Sequence, residues 1–131
     1  VDYGNGSKPV ALRVYNVFEN GDALCGGEIP VGAYLSLGQV DHDGIIGTAE
    51  AALAQISGVE GANGFLMYPC VSRYMMLSPD KDEEIRKVIG TVGESQPYVI
   101  TYSGGEICPV YGEDGKTYNR FHNYTCVACV F

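Results

Sequence analysis

A stretch near the end of the chain constrains the fold most. Residues 103–110 read Ser-Gly-Gly-Glu-Ile-Cys-Pro-Val, and residues 119–125 read Asn-Arg-Phe-His-Asn-Tyr-Thr. Between them lies Asp114-Gly115, a pair that readily supplies the positive φ angles of a tight hairpin. Antiparallel pairing of the two arms puts Glu106 and Cys108 on one strand. Asn119, Arg120, His122 and Asn123 then lie on its neighbour, within reach of the first cluster.

The rest of the chain mixes strand and helix patterns. Val10–Phe18 alternates as a strand, Asn20-Gly21 marks a turn, and Ala33–Leu37 is a second strand-like run. Ile45, Ile46, Ala49, Ala52, Leu53 and Ile56 recur at helical spacing, which predicts a helix over 44–57 with Asp43 as N-cap and Gly58 as stop. Phe65–Tyr68 reads as a buried strand; the stretch from Pro69 to Leu77 fits helix or strand, and the preferred reading ends the strand near Pro69 and starts a helical turn at Cys70. Ser78, Pro79 and the acids that follow predict a second principal helix over 79–89, with Glu83 and Lys87 paired and Gly90 at its end. Pro97–Tyr102 and Tyr124–Phe131 complete the strands. Without regular βαβ alternation, this order predicts an α+β fold: a mainly antiparallel sheet with two principal helices packed on it. Strands over 97–103, 106–111 and 124–131 are expected side by side and antiparallel.

The 131 residues fit a single domain, 1–131, and an apolar fraction of 46% is enough for a real core. The net charge of −8 disfavours nucleic acid and anionic membrane surfaces, both of which are bound through Lys and Arg. No apolar run approaches the ~20 residues of a bilayer span. Five cysteines at irregular spacing fit free thiols in a reducing cytoplasm better than a disulfide framework. Cys126 and Cys129 lie three apart in a strand pattern, so they point to opposite faces and make no metal or redox pair. No metal and no cofactor is expected.

Arg73 and Arg120 sit among apolar and aromatic residues without a local charge partner. Such guanidinium groups need an anion. An internal ion pair with Glu106 or Glu28 is one answer; a bidentate clamp on a carboxylate or phosphate ligand is the other. The candidate site joins Arg73, Glu106 and Arg120 with Cys70, Tyr102, Cys108, His122 and Asn123 around them. Cys108 or Cys70 with His122 can also be read as a thiolate–imidazole pair, the arrangement of a thiol-dependent enzyme. Gly104-Gly105 lacks the phosphate-loop pattern and suits a bulge or a tight strand entry. The same Gly-Gly-Glu-Ile tetrad occurs at 26–29.

Together with Gly-Gly-Glu-Ile-Pro-Val-Gly (26–32) and Cys-Val-Ser-Arg (70–73), the two terminal segments resemble a FIST C-terminal domain, the second half of a sensory module of signal-transduction proteins. The resemblance runs from about residue 10 onward. It implies a non-enzymatic cytoplasmic sensory domain that binds a small molecule, with amino acids or related metabolites as ligands. It also implies that the N-terminal FIST half is absent from this chain, and that this half and a signalling output domain are its partners. An enzyme and a ligand-free interaction module are the alternatives.

Overall fold

A computed structural model describes residues 1–57, 59–92 and 96–131. In chain order the elements are β1 (Val14–Val17), β2 (Ala23–Cys25), α1 (His42–Ile56), β3 (Phe65–Pro69), α2 (Val71–Met76), α3 (Glu83–Val92), β4 (Tyr98–Ile100), β5 (Glu106–Tyr111), β6 (Thr117–His122) and β7 (Cys126–Val130). The fold is α+β. The chain divides into two compact units, Val1–Gly38 with Gly105–Thr125, and Gln39–Gly104 with Cys126–Phe131.

The second of these units holds the helices. β3 lies at the centre of a three-stranded sheet, parallel to β4 and antiparallel to β7. Its alternation sends Phe65, Met67 and Pro69 to the buried side. There Phe65 and Met67 meet Leu53 and Ile56 of α1 and Val88 of α3, with Ile100, Cys126, Ala128 and Val130 of the neighbouring strands packed around them. Each such side chain, once fully buried, stabilises the fold by roughly 1.5–3 kcal/mol. α1 begins one turn before its apolar stripe. Asp41, not Asp43, caps it, because its carboxylate accepts the Gly44 amide at 2.7 Å. Asp43 falls in the first turn, where an acid favours the helix dipole. Gly58, the expected stop, lies outside the described residues.

α3 starts at Glu83 rather than at Pro79 and runs two residues past Gly90. Val92 reaches the core cluster from that extra turn. Glu83 bonds His42 at 2.8 Å and Lys87 bonds Glu50 at 3.0 Å, so both reach α1 instead of each other. The expected strand end at Pro69 and helical turn from Cys70 are observed, with Cys70 as the N-cap of α2. Cys126, opposite Pro69, packs on the core, whereas Cys129, opposite Leu66, is exposed. The two thiols thus point to opposite faces, as strand alternation requires.

The other unit consists of two hairpins. β1 pairs with β2 around Asn20-Gly21, where Gly21 takes φ 88°. β1 is shorter than the expected Val10–Phe18 strand. Ala33–Leu37 forms no strand: Gly32 turns the chain at φ 89°, and only Tyr34 makes a bridge, to Asp2. β5 and β6 pair antiparallel from Glu106–His122 to Tyr111–Thr117, with Gly115 at φ 74° in the connection.

The expected row of adjacent antiparallel strands at 97–103, 106–111 and 124–131 is not formed. β5 pairs with β6, whereas β4 and β7 both pair with β3. Between β6 and β7, Tyr124 takes a φ of 60°, a turn conformation at the point where the chain leaves the hairpin for the other sheet.

Candidate functional site

Strand alternation builds the site. Along β5, Glu106, Cys108 and Val110 are the less exposed residues, and Ile107, Pro109 and Tyr111 face solvent. Along β6, Tyr118, Arg120 and His122 alternate in the same way with Thr117, Asn119 and Phe121. The register sets Glu106 opposite His122 and Cys108 opposite Arg120. The inner face of this hairpin therefore gathers four of the eight residues expected from sequence, and Asn123 follows directly.

This face is buried and polar. Glu106, His122 and Asn123 are 4%, 6% and 0% exposed. Glu106 Oε2 accepts a hydrogen bond from the Thr125 hydroxyl at 2.6 Å. Asn123 Oδ1 accepts from the Arg13 main-chain amide at 2.9 Å, and the Asn123 main-chain amide donates to the Ala11 carbonyl at 2.9 Å. The Asn123 Nδ2, His122 Nε2 and Arg120 Nε atoms are buried without a hydrogen-bond partner among the described residues. Buried polar atoms are ordinarily paired, and here three such atoms fall on neighbouring residues.

Arg120 is held without an acid. Its guanidinium lies 4.2 Å from the centre of the Tyr3 ring and 5.3 Å from that of Tyr118. Both rings are anchored, Tyr3 by donating to the Glu28 carbonyl at 3.1 Å and Tyr118 by donating to Asp114 at 2.7 Å. No carboxylate among the described residues forms an ion pair with Arg120, and the expected internal pair with Glu106 or Glu28 is not made. The aromatic attraction orients the cation.

The titratable groups are shifted by burial. Burial pushes the Cys108 thiol up, and the charge of Glu106 adds to this. Burial pulls His122 below the ordinary imidazole value, against a hydrogen bond to the Cys108 main chain and the Glu106 charge.

Cys70, Arg73 and Tyr102 belong to the helical unit. Cys70 is fully buried, and its neighbour Val71 donates to the Ser103 carbonyl at 2.8 Å. Arg73 forms an internal ion pair, but with Glu84 rather than Glu106 or Glu28. Its Nε and Nη2 reach Glu84 Oε1 at 2.8 and 2.5 Å, Nη2 also reaches the Ile45 carbonyl at 2.7 Å, and Nη1 reaches Thr48 at 3.1 Å. Glu84 is fully buried one turn before Val88, so the apolar stripe of α3 carries it inward. Tyr102 packs its ring on Tyr74 at 5.1 Å, and its hydroxyl is pushed up to about 12, first by burial and then by Glu84.

Sequence reasoning missed Glu84, Tyr3, Tyr118 and Thr125. Glu84 was legible from its place four residues before Val88, and Tyr118 from its place two residues before Arg120 in an alternating strand. Tyr3 carried no such signal.

Among known protein families, the model of the FIST C domain matches residues 6–109. The second arm of the hairpin, Asn119–Thr125, lies beyond that match. No curated protein and no solved structure matches the chain. No helix is long and apolar enough to cross a membrane among the described residues, and no group of three or more His, Cys, Asp or Glu there could hold a metal ion.

Proposed function

The chain belongs to the FIST C-domain family, a family of sensory domains in signal transduction, and we propose that it binds a small ligand, an amino acid or related metabolite, on the inner face of the β5–β6 hairpin. One observation carries this: His122 Nε2 and Asn123 Nδ2 are buried and unused beside an arginine that has no acid partner among the described residues. The guanidinium suits a ligand carboxylate. The Asn123 amide offers a donor and the His122 ring nitrogen a donor or acceptor, according to its tautomer. Glu106, in the same strand pair, suits a ligand ammonium. In this reading the domain works in the cytoplasm with an N-terminal FIST half and a signalling output domain.

We take the domain to be a binding module rather than an enzyme. Cys108 stands opposite Arg120 rather than His122, its thiol is pushed up and the imidazole is pulled down. These shifts oppose formation of the thiolate–imidazolium pair that would activate the sulfur.

The test is a thermal-shift screen of free amino acids against the full chain and against Arg120→Ala. A ligand selective for the folded state raises the melting temperature. A rise that disappears in Arg120→Ala supports the proposal; no rise with any amino acid, or an equal rise in the variant, overturns it. Iodoacetamide labelling addresses the thiol. Cys108 should react no faster than a free cysteine near neutral pH, and faster labelling would favour the enzyme.

A further inference from the structure

We propose that the β1–β2 hairpin is a docking edge for a partner protein that supplies an extended apolar strand flanked by lysine or arginine.

β1 is exposed at all four residues, so both of its faces reach solvent. Val14, Tyr15 and Val17, then Phe18 and Leu24, are each about half exposed or more. A two-stranded sheet on its own is marginal in water and gains stability from a third strand or a covering layer. β1 pairs with β2 along one edge, and no strand among the described residues occupies the other. That edge presents main-chain donors and acceptors beside apolar side chains, with one register shift between Val14 and Asn16, and strand addition uses both: the main chain gives affinity and the side chains give selectivity.

The charges around the hairpin select the occupant. From Val14 to Leu37 every charged residue is acidic: Glu19, Asp22 and Glu28. The nearest base is Arg13, whose guanidinium lies over the Tyr15 ring at 5.5 Å. A second copy of the chain brings the same three acids and its own net charge of −8, so two copies repel at long range. An anionic bilayer would meet the same repulsion. A strand with basic flanks gains attraction at the rim instead.

The test uses the full chain and two synthetic peptides of about eight residues, the length of an ordinary strand. Both carry one alternating Val/Thr core, in one flanked by lysines and in the other by glutamates. Fluorescence anisotropy should show the lysine-flanked peptide binding at least about tenfold more tightly, with the difference shrinking at high salt. Hydrogen exchange should slow at the amides of residues 14–17 when it binds. Val17→Lys, at a side chain 65% exposed and therefore harmless to the fold, should weaken binding by about tenfold or more. Failure of the lysine-flanked peptide to bind, equal binding of both peptides, or slowed exchange elsewhere than 14–17 overturns the proposal. So does a concentration-dependent dimer, seen by light scattering, that Val17→Lys dissociates, because the occupant is then a second copy.

Discussion

Glu106 and His122 stand opposite each other across β5 and β6, and both are more than nine-tenths buried. The carboxylate favours a protonated imidazole, but burial outweighs it and keeps the folded-state pKa of His122 below the ordinary 6.5. The unfolded chain therefore takes up this proton first as pH falls. The stability linked to His122 is complete above 6.5 and declines as pH drops through its lower folded value. Thermal melts from about pH 8 to about pH 5 should show this decline, and His122→Gln should remove it. A decline of equal size in the variant would place its origin elsewhere.

His42 has the opposite sign. Its ring bonds Asp43 at 3.1 Å and Glu83 at 2.8 Å, and these bonds, Asp43 first, raise its pKa. The Glu83 bond links the start of α1 to the start of α3. Its contribution is full below 6.5 and is lost as pH rises through the raised folded value. The melting difference between the chain and His42→Gln should accordingly vanish at high pH. An NMR titration should place the His42 midpoint above that of a free imidazole. A midpoint at or below the free value would remove the link.

The two arginines expected to act together behave differently. Arg73→Ala leaves Glu84 charged and fully buried with one oxygen already unsatisfied, and should cost roughly 3–5 kcal/mol. Replacing both with apolar residues of similar volume should recover much of that loss, because no charge is then left buried. Arg120→Ala removes two aromatic contacts and no ion pair, and should cost about 1 kcal/mol. Urea unfolding of the three variants checks the ranking. Equal costs for the two single substitutions would show that Arg120 is also an internal ion-pair member.

The local order of the fold was readable where a pattern and a turn residue agreed. The β5–β6 hairpin and the stripe of α1 came from such agreement, whereas from Pro69 to Leu77 the pattern fitted helix and strand alike. Pairing between distant segments was not readable. β7 matches the alternation of a strand next to β5 as well as it matches one next to β3, and the positive φ of Tyr124 that precedes it is announced by no residue type. The same limit explains the site. Alternation places Glu106, Cys108, Arg120 and His122 on one face, but the acid that meets Arg73 is set by how α2 and α3 pack. A side chain's chemical type states that it needs a partner; the tertiary fold decides which one.

The two Gly-Gly-Glu-Ile tetrads give the last prediction. A methyl group at Gly26 would lie 2.5 Å from Asn123 Oδ1 and 2.9 Å from the Tyr15 ring. Asn123 cannot retreat, since it is fully buried, its Oδ1 holds the Arg13 amide and its own amide is bound to Ala11. Gly26→Ala should therefore destabilise the chain by roughly 1–3 kcal/mol, the ordinary cost of overpacking. It should also weaken any ligand response, because it displaces the residue that offers Nδ2. Gly104 in the second tetrad has open space around it and no positive φ, so Gly104→Ala should stay within about 0.5 kcal/mol. At Gly105 an added methyl would strike the Phe121 ring, which is 38% exposed and free to swing, so that substitution should cost less than the one at Gly26. Urea unfolding orders the three. If Gly26→Ala proves as stable as the parent chain, Asn123 is not pinned against the backbone of the first tetrad, and its role in shaping the hairpin face fails with it.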